Sequence, residues 1–290
     1  QSLDLNDRLI VVRDPVANSP FPANRIPANR VDPNGTALLK VFPDPNFFDR
    51  SISRGSYNYV FNTETSSPTR TDTAKVDYNF NERNFLVASY NGFYEKHDGQ
   101  LGFPTAVGNW PQWRYGFAGD TQGLTARYTR IISPAVVNEF HFGWMHHPER
   151  NFYEQDTVTR NQRDTVGYRT PQFFPEINPL ALIPNATYGG VPNAATLNKD
   201  GRWPFTAINN ILNWDNKLSM TRGAHSLKAG LYVEFFQRDI GQPVLFAGAL
   251  DFGRNVNNPL DTNYAYSNAA LGVFNSYSEA SGRPYPRSFN

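Results

Sequence analysis

The chain contains no cysteine and only two methionines, and its charges nearly cancel, with 27 Lys and Arg against 26 Asp and Glu. Without cysteine, a disulfide scaffold, a thiolate metal site and a cysteine nucleophile are all excluded. A nucleic-acid-binding protein normally concentrates Lys and Arg into a basic surface. The net charge of +1 therefore argues against nucleic acid as a partner.

Long apolar runs are also missing, and this absence, together with the mean hydropathy of −0.55, excludes a membrane-spanning helix. It does not exclude membrane-spanning β-strands, because only every second residue of such a strand is apolar. The 22 Phe, 15 Tyr and 5 Trp are a high aromatic load for so polar a chain of 290 residues. They suit either a soluble core or the aromatic girdles of a membrane interface.

Motifs for catalysis are absent. The chain has no G-x-S-x-G, H-E-x-x-H or phosphate-binding loop, and its carboxylates are scattered. The one concentration of histidine is His141, His146 and His147. His141 and His147 share strand parity but lie about 20 Å apart at ~3.3 Å per residue, so interfacial or loop histidines are expected rather than a metal site. We expect no enzyme, no metal and no cofactor.

The clearest pattern in the chain is a β-hairpin over residues 207–236. In its second arm, every second residue from Leu227 to Phe235 is apolar, with more polar residues between them. This period of two is typical of a strand with one apolar face. The turn falls at Thr221–Ala224, where Gly223 accommodates a positive φ. Arms of about ten residues exceed the ~5–6 residues of an ordinary strand, so the apolar face is expected to meet lipid.

Two further hairpins precede it, at 70–94 with a turn at Asn81–Asn84, and at 121–146 with a turn at Ser133–Ala135. Alternation along the three hairpins assigns each side chain to a face. The candidates for the lipid-facing side are Val76, Tyr78, Phe80, Phe140, Phe142, Trp144, Leu227, Leu231, Val233 and Phe235. The candidates for the lumen-facing side are Lys75, Asp77, Arg127, Asp215, Lys217, Lys228 and Glu234.

The rest of the chain is rich in Pro, Asn and Gly. Residues 1–69 are a loop-rich lead-in containing one helix, with Asp32 as N-cap and Pro33 at the first helical position. The run Leu9–Val12 suggests a short strand, and residues 147–206 are expected to form a long loop. The sequence suggests a second short strand at Val244–Phe252 and a short helix at Tyr266–Val273.

The connection at 95–120 carries Trp110, Trp113 and Tyr115, which are the candidates for ligand contact. Aromatic side chains on an external loop stack on sugars, siderophores or peptide side chains. The alternative is that they pack the loop onto itself or lie at the membrane interface.

Short turns on one side and long loops on the other are typical of outer-membrane barrels. The sequence therefore predicts an all-β fold: an antiparallel outer-membrane β-barrel fragment with one or two short loop helices. Residues 1–290 would be part of a single β-barrel domain, favoured over a soluble β-sandwich or propeller. Gln1 is not an initiator and no signal peptide follows it, so we expect a piece of a longer protein.

Four segments resemble the barrel region of TonB-dependent receptors of the Oar-like type. They are FPANRIPANRVDPNGTALLKVFPDPN, TDTAKVDYNFNERNFLVASYN, LNWDNKLSMTRGAHSLKAGLYVEF and AALGVFNSYSEASGRPYP. The resemblance implies a part of a barrel of about 22 strands around a plugged lumen in the Gram-negative outer membrane. The plug, the TonB-binding box and the remaining strands are not recognisable, so the TonB system is a partner by resemblance only.

The function implied is ligand capture and uptake, with outer-membrane lipid as a second partner and a carbohydrate, peptide or chelate as the ligand. Two alternatives stay open. The first is an adhesion or structural barrel without transport. The second is a soluble secreted carbohydrate-binding β-sandwich, which requires a second sheet over the apolar faces.

Overall fold

The computed structural model describes residues 2–62, 64, 66–100, 113–199, 204–241, 246–282 and 287–289. In chain order the strands are β1 (Arg13–Asp14), β2 (Ser19–Pro20), β3 (Thr69–Asn81), β4 (Asn84–Gln100), β5 (Tyr115–Ser133), β6 (Val136–Tyr153), β7 (Asn185–Thr187), β8 (Phe205–Arg222), β9 (His225–Gly241), β10 (Ala249–Asp251), β11 (Ser276–Ser278) and β12 (Arg287–Phe289). The helices are α1 (Pro33–Leu39), α2 (Arg50–Ser53), α3 (Gln155–Arg160), α4 (Arg163–Val166) and α5 (Ala265–Ala270). Short 3₁₀ turns lie at Pro22–Asn24, Ala28–Arg30 and Pro175–Ile177.

A seven-stranded sheet with the order β12-β9-β8-β6-β5-β4-β3 dominates the fold, and every neighbouring pair in it is antiparallel. Its long strands have 13 to 19 residues. A strand needs only about 9–11 residues to cross a bilayer, so these strands extend beyond the hydrocarbon layer. The sheet is open rather than closed into a barrel, and β12 covers the outer edge of β9 only at Gln237–Asp239.

The three tight turns join β3 to β4, β5 to β6 and β8 to β9, as the sequence predicts. The amide of Arg83 donates to Oδ1 of Asn81 at 2.9 Å and closes the first turn. Pro134 lies in the second turn, outside the ladder, and Gly223 has a φ of 60° in the third. All three turns lie at the same end of the sheet, and the long connections lie at the opposite end.

The strand register separates the side chains into two faces, because side chains alternate along a strand and directly paired residues share a face. One row of paired residues consists of Val76, Ala88, Ala126, Phe142, Trp214 and Val233. The neighbouring row, on the opposite face, consists of Asp77, Val87, Arg127, His141, Asp215 and Tyr232. We call these the apolar face and the polar face of the sheet.

The strands are longer than the predicted hairpins, since β4 runs to Gln100 and β6 to Tyr153. Backbone pairing continues there after the apolar alternation has ended, which is why the sequence pattern underestimates the arms. The predicted strand at Leu9–Val12 is wrong: Leu9 forms only an isolated bridge with Leu3. Of the predicted strand at Val244–Phe252, the described residues 246–252 contain the strand β10, and Val244 and Leu245 lie outside the described residues.

The helix predicted from Asp32 is α1, and Asp32 accepts a hydrogen bond from the amide of Gly35 at 2.6 Å. The predicted helix near Tyr266 is α5. Neither helix is isolated in a loop. The core of the molecule lies at the long-loop end, where residues from several connections pack together. Its buried members are Ala37, Leu38, Trp113, Tyr115, Tyr153, Val158, Tyr168, Leu182, Ile183, Ala186, Tyr188, Leu197, Phe246, Ala247, Leu250, Phe252, Ala265 and Ala269.

We call the segments 2–62, 113–114, 154–199 and 246–282 the loop assembly. A small sheet of order β11-β10-β7, in which β10 and β7 are parallel, lies at its centre. None of the helices in the described part of the chain is long and apolar enough to cross a membrane.

Candidate functional site

The polar face of the sheet carries all of the lumen-facing candidates, and the apolar face carries all of the lipid-facing candidates. Phe80 lies beside an irregularity in the register, and its ring contacts with Tyr78 at 4.8 Å and Tyr128 at 6.4 Å assign it to the apolar face. The apolar face is uncovered in the described structure, and Leu231 is 69% exposed. Among the described residues, no second sheet packs on the apolar face, although the β-sandwich alternative requires one.

The apolar face has a defined height. On β5, its residues between Gln122 and Arg130 are Leu124, Ala126 and Tyr128. The interval from Gln122 to Arg130 spans about 27 Å along the strand at ~3.4 Å per residue. A tilt of about 40° shortens this to roughly 20 Å, close to the ~25 Å apolar band of outer-membrane barrels.

Charges on the polar face are balanced by neighbours on the same strand. Lys75 pairs with Asp77 at 2.9 Å, and Lys217 pairs with Asp215 at 2.9 Å. The Lys75–Asp77 pair is exposed, and an exposed pair stabilises a protein by at most about 1 kcal/mol, so it sets the charge pattern of the surface rather than its stability. Arg127 and Lys228 make no hydrogen bond or ion pair from the side chain to another described residue.

Histidines occupy both faces. On the polar face, His147 lies between Thr121, whose Oγ1 is 2.6 Å from Nδ1, and Glu149, whose Oε1 is 2.8 Å from Nε2. His141 lies 3.7 Å from Asp215. His146 faces the other way and its ring stacks on Trp144. Among the described residues, no group of three or more His, Asp and Glu side chains is placed to hold a metal ion.

The loop assembly lies on the polar-face side of the strand ends. Tyr115 and Phe117 share the parity of Arg127 on β5 and both are buried, and Tyr115 belongs to the core that the loops form. Tyr153, which pairs directly with Tyr115, is buried as well, and the two rings lie 5.4 Å apart. If the polar face lines a lumen, the loop assembly therefore covers the mouth of that lumen.

Trp113 and Tyr115, two of the candidates for ligand contact, are 0% and 1% exposed in this conformation. They pack the loop core, and Trp113 lies 6.3 Å from Tyr153. The sequence suggested both possibilities, since an aromatic residue in a connection serves packing and ligand stacking equally well. The third candidate, Trp110, lies outside the described residues.

Lys199 is buried at the junction between the loop assembly and the sheet. Its Nζ donates to the main-chain oxygen of Ile183 and, at 3.0 Å, to Oδ1 of Asn185. The same Nζ lies 5.3 Å from the centre of the Trp113 ring. Burial lowers the pKa of the Lys199 ammonium well below its usual value, and the nearby charge of Arg163 lowers it further.

The N-terminal segment joins the assembly through a close helix crossing. The amide of Asp32 donates to the oxygen of Ala270 at 2.8 Å, and a Cβ on Gly35 would lie 1.7 Å from the oxygen of Ala269. Oδ1 of Asn34 accepts from the amide of Arg169 at 2.6 Å. The lead-in is therefore one of the packed loops rather than a separate irregular segment.

Aromatic packing links the loop segments 154–199 and 246–282. The rings of Tyr188 and Tyr266 lie 4.6 Å apart, and the Tyr188 ring stacks on Phe252 at 5.7 Å. The Tyr266 hydroxyl donates to the oxygen of Ala195 at 3.1 Å. Burial raises the pKa of Tyr266 to about 12, so the hydroxyl stays protonated and keeps this bond.

Glu279, which follows β11, fixes the segment 172–174. Its carboxylate accepts from the amides of Phe174 at 2.7 Å and Phe173 at 3.1 Å, and from the Tyr277 hydroxyl at 2.5 Å. Burial opposes the charged form, but these hydrogen bonds outweigh it and lower the pKa of Glu279. Sequence reasoning identified neither Glu279 nor Lys199, because an isolated charge in a Pro- and Asn-rich stretch looks like a solvated loop residue.

Comparison with known proteins gives one result. No curated protein and no solved structure matches the chain. The family model of the outer membrane beta barrel domain matches residues 4–290. The match covers nearly the whole chain and agrees with the antiparallel meander, its tight turns and its two-faced strands. The chain therefore belongs to the outer membrane beta barrel domain family and resides in the Gram-negative outer membrane.

Proposed function

We propose that this barrel domain belongs to a TonB-dependent receptor that captures a ligand outside the cell and admits it through the barrel. The observation that carries the proposal is the position of the loop assembly on the polar-face side of the strand ends. Loops arranged in this way control what reaches the lumen. An open pore would instead leave the strand ends of its polar face exposed to solvent.

The charges of the polar face support the same proposal. Acidic and basic side chains alternate within short distances, as in Lys75–Asp77 and Asp215–Lys217. A wall of this kind carries no large field of one sign, and it offers hydrogen-bond donors and acceptors to a plug or a passing ligand. The ligand class is a carbohydrate, a peptide or a metal chelate, and the TonB system enters through the sequence resemblance.

Growth experiments test transport directly. A strain lacking the full-length gene is compared with the same strain carrying the wild-type gene, on oligosaccharide, peptide or iron chelate as the limiting nutrient. We expect a growth defect on one nutrient class, restored by the gene. A proton ionophore at a dose that leaves diffusion through porins intact should abolish the restored uptake of that labelled nutrient.

The adhesion alternative gives a different result. Phe48 is 76% exposed and Phe173 79% exposed on the loop assembly, and such apolar side chains suit attachment to a surface. An adhesion barrel predicts unchanged growth on all three nutrient classes together with loss of attachment to cells or surfaces. Unchanged growth and uptake in the deletion strain would contradict the transport proposal.

A further inference from the structure

Two glutamates flank one glycine on the polar face, near the loop assembly. Glu95 on β4 and Glu149 on β6 both pair in register with Gly119 on β5, so the three residues form one row on the same face. Two strand spacings place the Cα atoms of the glutamates about 10 Å apart. Tyr153 of the loop core follows Glu149 on the same face, about 13 Å further along β6. The row therefore lies just beneath the loops that cover the strand ends.

Gly119 leaves the space between the two glutamates without a side chain of its own. A Cβ on Gly119 would lie 3.4 Å from Oε1 of Glu95 and 3.3 Å from the ring of Phe117. The Glu95 carboxylate therefore leans over β5, beside an apolar ring. The side chains of Glu95 and Glu149 are 23% and 29% exposed, whereas that of Asp77, further along the polar face, is 57% exposed. Because they are partly covered, the two glutamates interact more strongly with a charged group than a carboxylate on the open face does.

Each glutamate uses one carboxylate oxygen for a histidine on its own strand. Oε2 of Glu95 lies 3.0 Å from Nε2 of His97, and Oε1 of Glu149 lies 2.8 Å from Nε2 of His147. The other oxygens, Oε1 of Glu95 and Oε2 of Glu149, accept no hydrogen bond from a described residue. On β3 to β6, none of the polar-face positions within two residues of this row is Lys or Arg. No basic side chain of these strands therefore balances the two carboxylates.

A buried amide lies beside the two glutamates. Asn151 follows Glu149 by two residues, so both side chains lie on the polar face. Asn151 pairs in register with Phe117 and is 7% exposed, and its Oδ1 has no hydrogen-bond partner among the described residues. A buried acceptor without a partner destabilises a protein until a donor reaches it. The unpaired oxygens of Glu95, Glu149 and Asn151 are thus all acceptors, and they call for a cationic group with several donors.

We propose that Glu95, Glu149 and Asn151 bind the guanidinium group of an arginine-containing peptide ligand on the wall of the lumen. A guanidinium is permanently charged, and its N–H donors point outwards in one plane, so it reaches acceptors on both strands. An ammonium is a compact point charge, which suits this spread of acceptors less well. Among the described residues, no group of three or more His, Asp and Glu is placed to hold a metal ion instead. The proposal rests on the proposed function, because it assigns a ligand class to the passage beneath the loop assembly.

The test measures binding rather than transport. Full-length protein in nanodiscs is equilibrated by dialysis with radiolabelled N-acetyl-alanyl-arginyl-alanine amide, or with the same peptide carrying citrulline, whose neutral urea group has nearly the shape of the guanidinium. We expect wild-type protein to prefer the arginine peptide by about tenfold, because a hydrogen bond to a charged group contributes about this much. The double variant Glu95→Gln/Glu149→Gln should lose the preference and keep its affinity for the citrulline peptide.

Glu234→Gln is the matched control, because it makes the same change on the polar face at a distance. Its register partners on the neighbouring strands lead to Gly143, which lies about 20 Å along β6 from Glu149, so both affinities should stay unchanged. Asn151→Leu removes the buried acceptor that has no partner. It should weaken binding of the arginine peptide severalfold without lowering the free energy of unfolding, a combination that a merely structural asparagine would not give. Heat-modifiable gel mobility confirms that each variant is assembled.

Equal binding of the two peptides by wild-type protein would overturn the proposal. So would an unchanged preference in the double Gln variant, or an equal loss in Glu234→Gln. The proposed function fails by a different observation, namely unchanged growth and uptake in the deletion strain. That result would leave a selective binding measurement intact, so the two failures are distinguishable.

Discussion

The crossing of α1 and α5 gives the sharpest prediction. There, adding a single methyl group at Gly35 is expected to destabilise the protein, whereas Gly→Ala in an exposed helix stabilises it. In an exposed helix, Gly→Ala stabilises by about 1 kcal/mol through backbone entropy. At Gly35, the added Cβ would lie 1.7 Å from the oxygen of Ala269, where ordinary contact begins at 3.4 Å. The helices must therefore separate by about 1.7 Å.

That separation disturbs Leu38 and Ala269, which are both 0% exposed. Overpacking typically costs about 1–3 kcal/mol, and partial exposure of a buried Leu adds a similar amount. We therefore expect Gly35→Ala to destabilise the loop assembly by about 2–4 kcal/mol, which corresponds to roughly 30- to 1000-fold faster amide exchange.

Hydrogen exchange with mass spectrometry on the protein in detergent measures this directly, in peptides that cover α1 and α5. Thr36→Ala, one residue further along the same helix, is the matched control and should change exchange less than threefold. Protection in Gly35→Ala equal to that of wild type would refute the helix crossing and the joining of the lead-in to the loop assembly.

Three further predictions concern charge and lipid contact. Because burial lowers the pKa of Lys199 in the folded chain, the unfolded chain binds more protons between that lowered pKa and the ordinary lysine pKa of about 10.4, so stability of the loop assembly should rise with pH across this window; Lys199→Met should abolish that slope in exchange measurements of residues 183–186. Glu279 has a lowered pKa, so its contribution is present above about pH 4 and is lost as pH falls further; Glu279→Gln should expose 172–174 to exchange at pH 7, with little additional loss at low pH. Leu231→Arg should lower the free energy of unfolding from the membrane, measured by urea titration, by about 2–4 kcal/mol. Tyr232→Arg on the polar face should leave that free energy nearly unchanged. Equal losses in the two variants would contradict the assignment of faces.

The sheet could be predicted from the sequence because the signals that define its strands and turns lie within a few neighbouring residues. Alternation from Leu227 to Phe235 identifies a strand and assigns both of its faces within nine positions, and Gly223 marks the turn before it. The same reasoning placed Asp32 at the start of α1, since an N-cap depends on the next three residues. Family membership agrees with this part of the prediction.

The loop assembly could not be predicted because its contacts join positions far apart in the chain. Nothing near Gly35 indicates that Ala269 packs against it, and nothing near Lys199 indicates a buried amine beside Trp113. Trp113 shows the limit most clearly, because its residue type suits a ligand site and a core equally. Only the topology, which brings the start of β5 against the segment 183–199, shows that Trp113 packs in the core.

The central claim is that the apolar face meets lipid while the polar face lines the lumen. Since these 290 residues contain no cysteine, single-cysteine spin labels can be placed at each position from Leu227 to Phe235 without a competing thiol in the chain. In the reconstituted full-length protein, labels at odd positions should be accessible to oxygen in the lipid, and labels at even positions to a water-soluble nickel complex. Uniform accessibility along the strand, or the inverse alternation, would contradict the account.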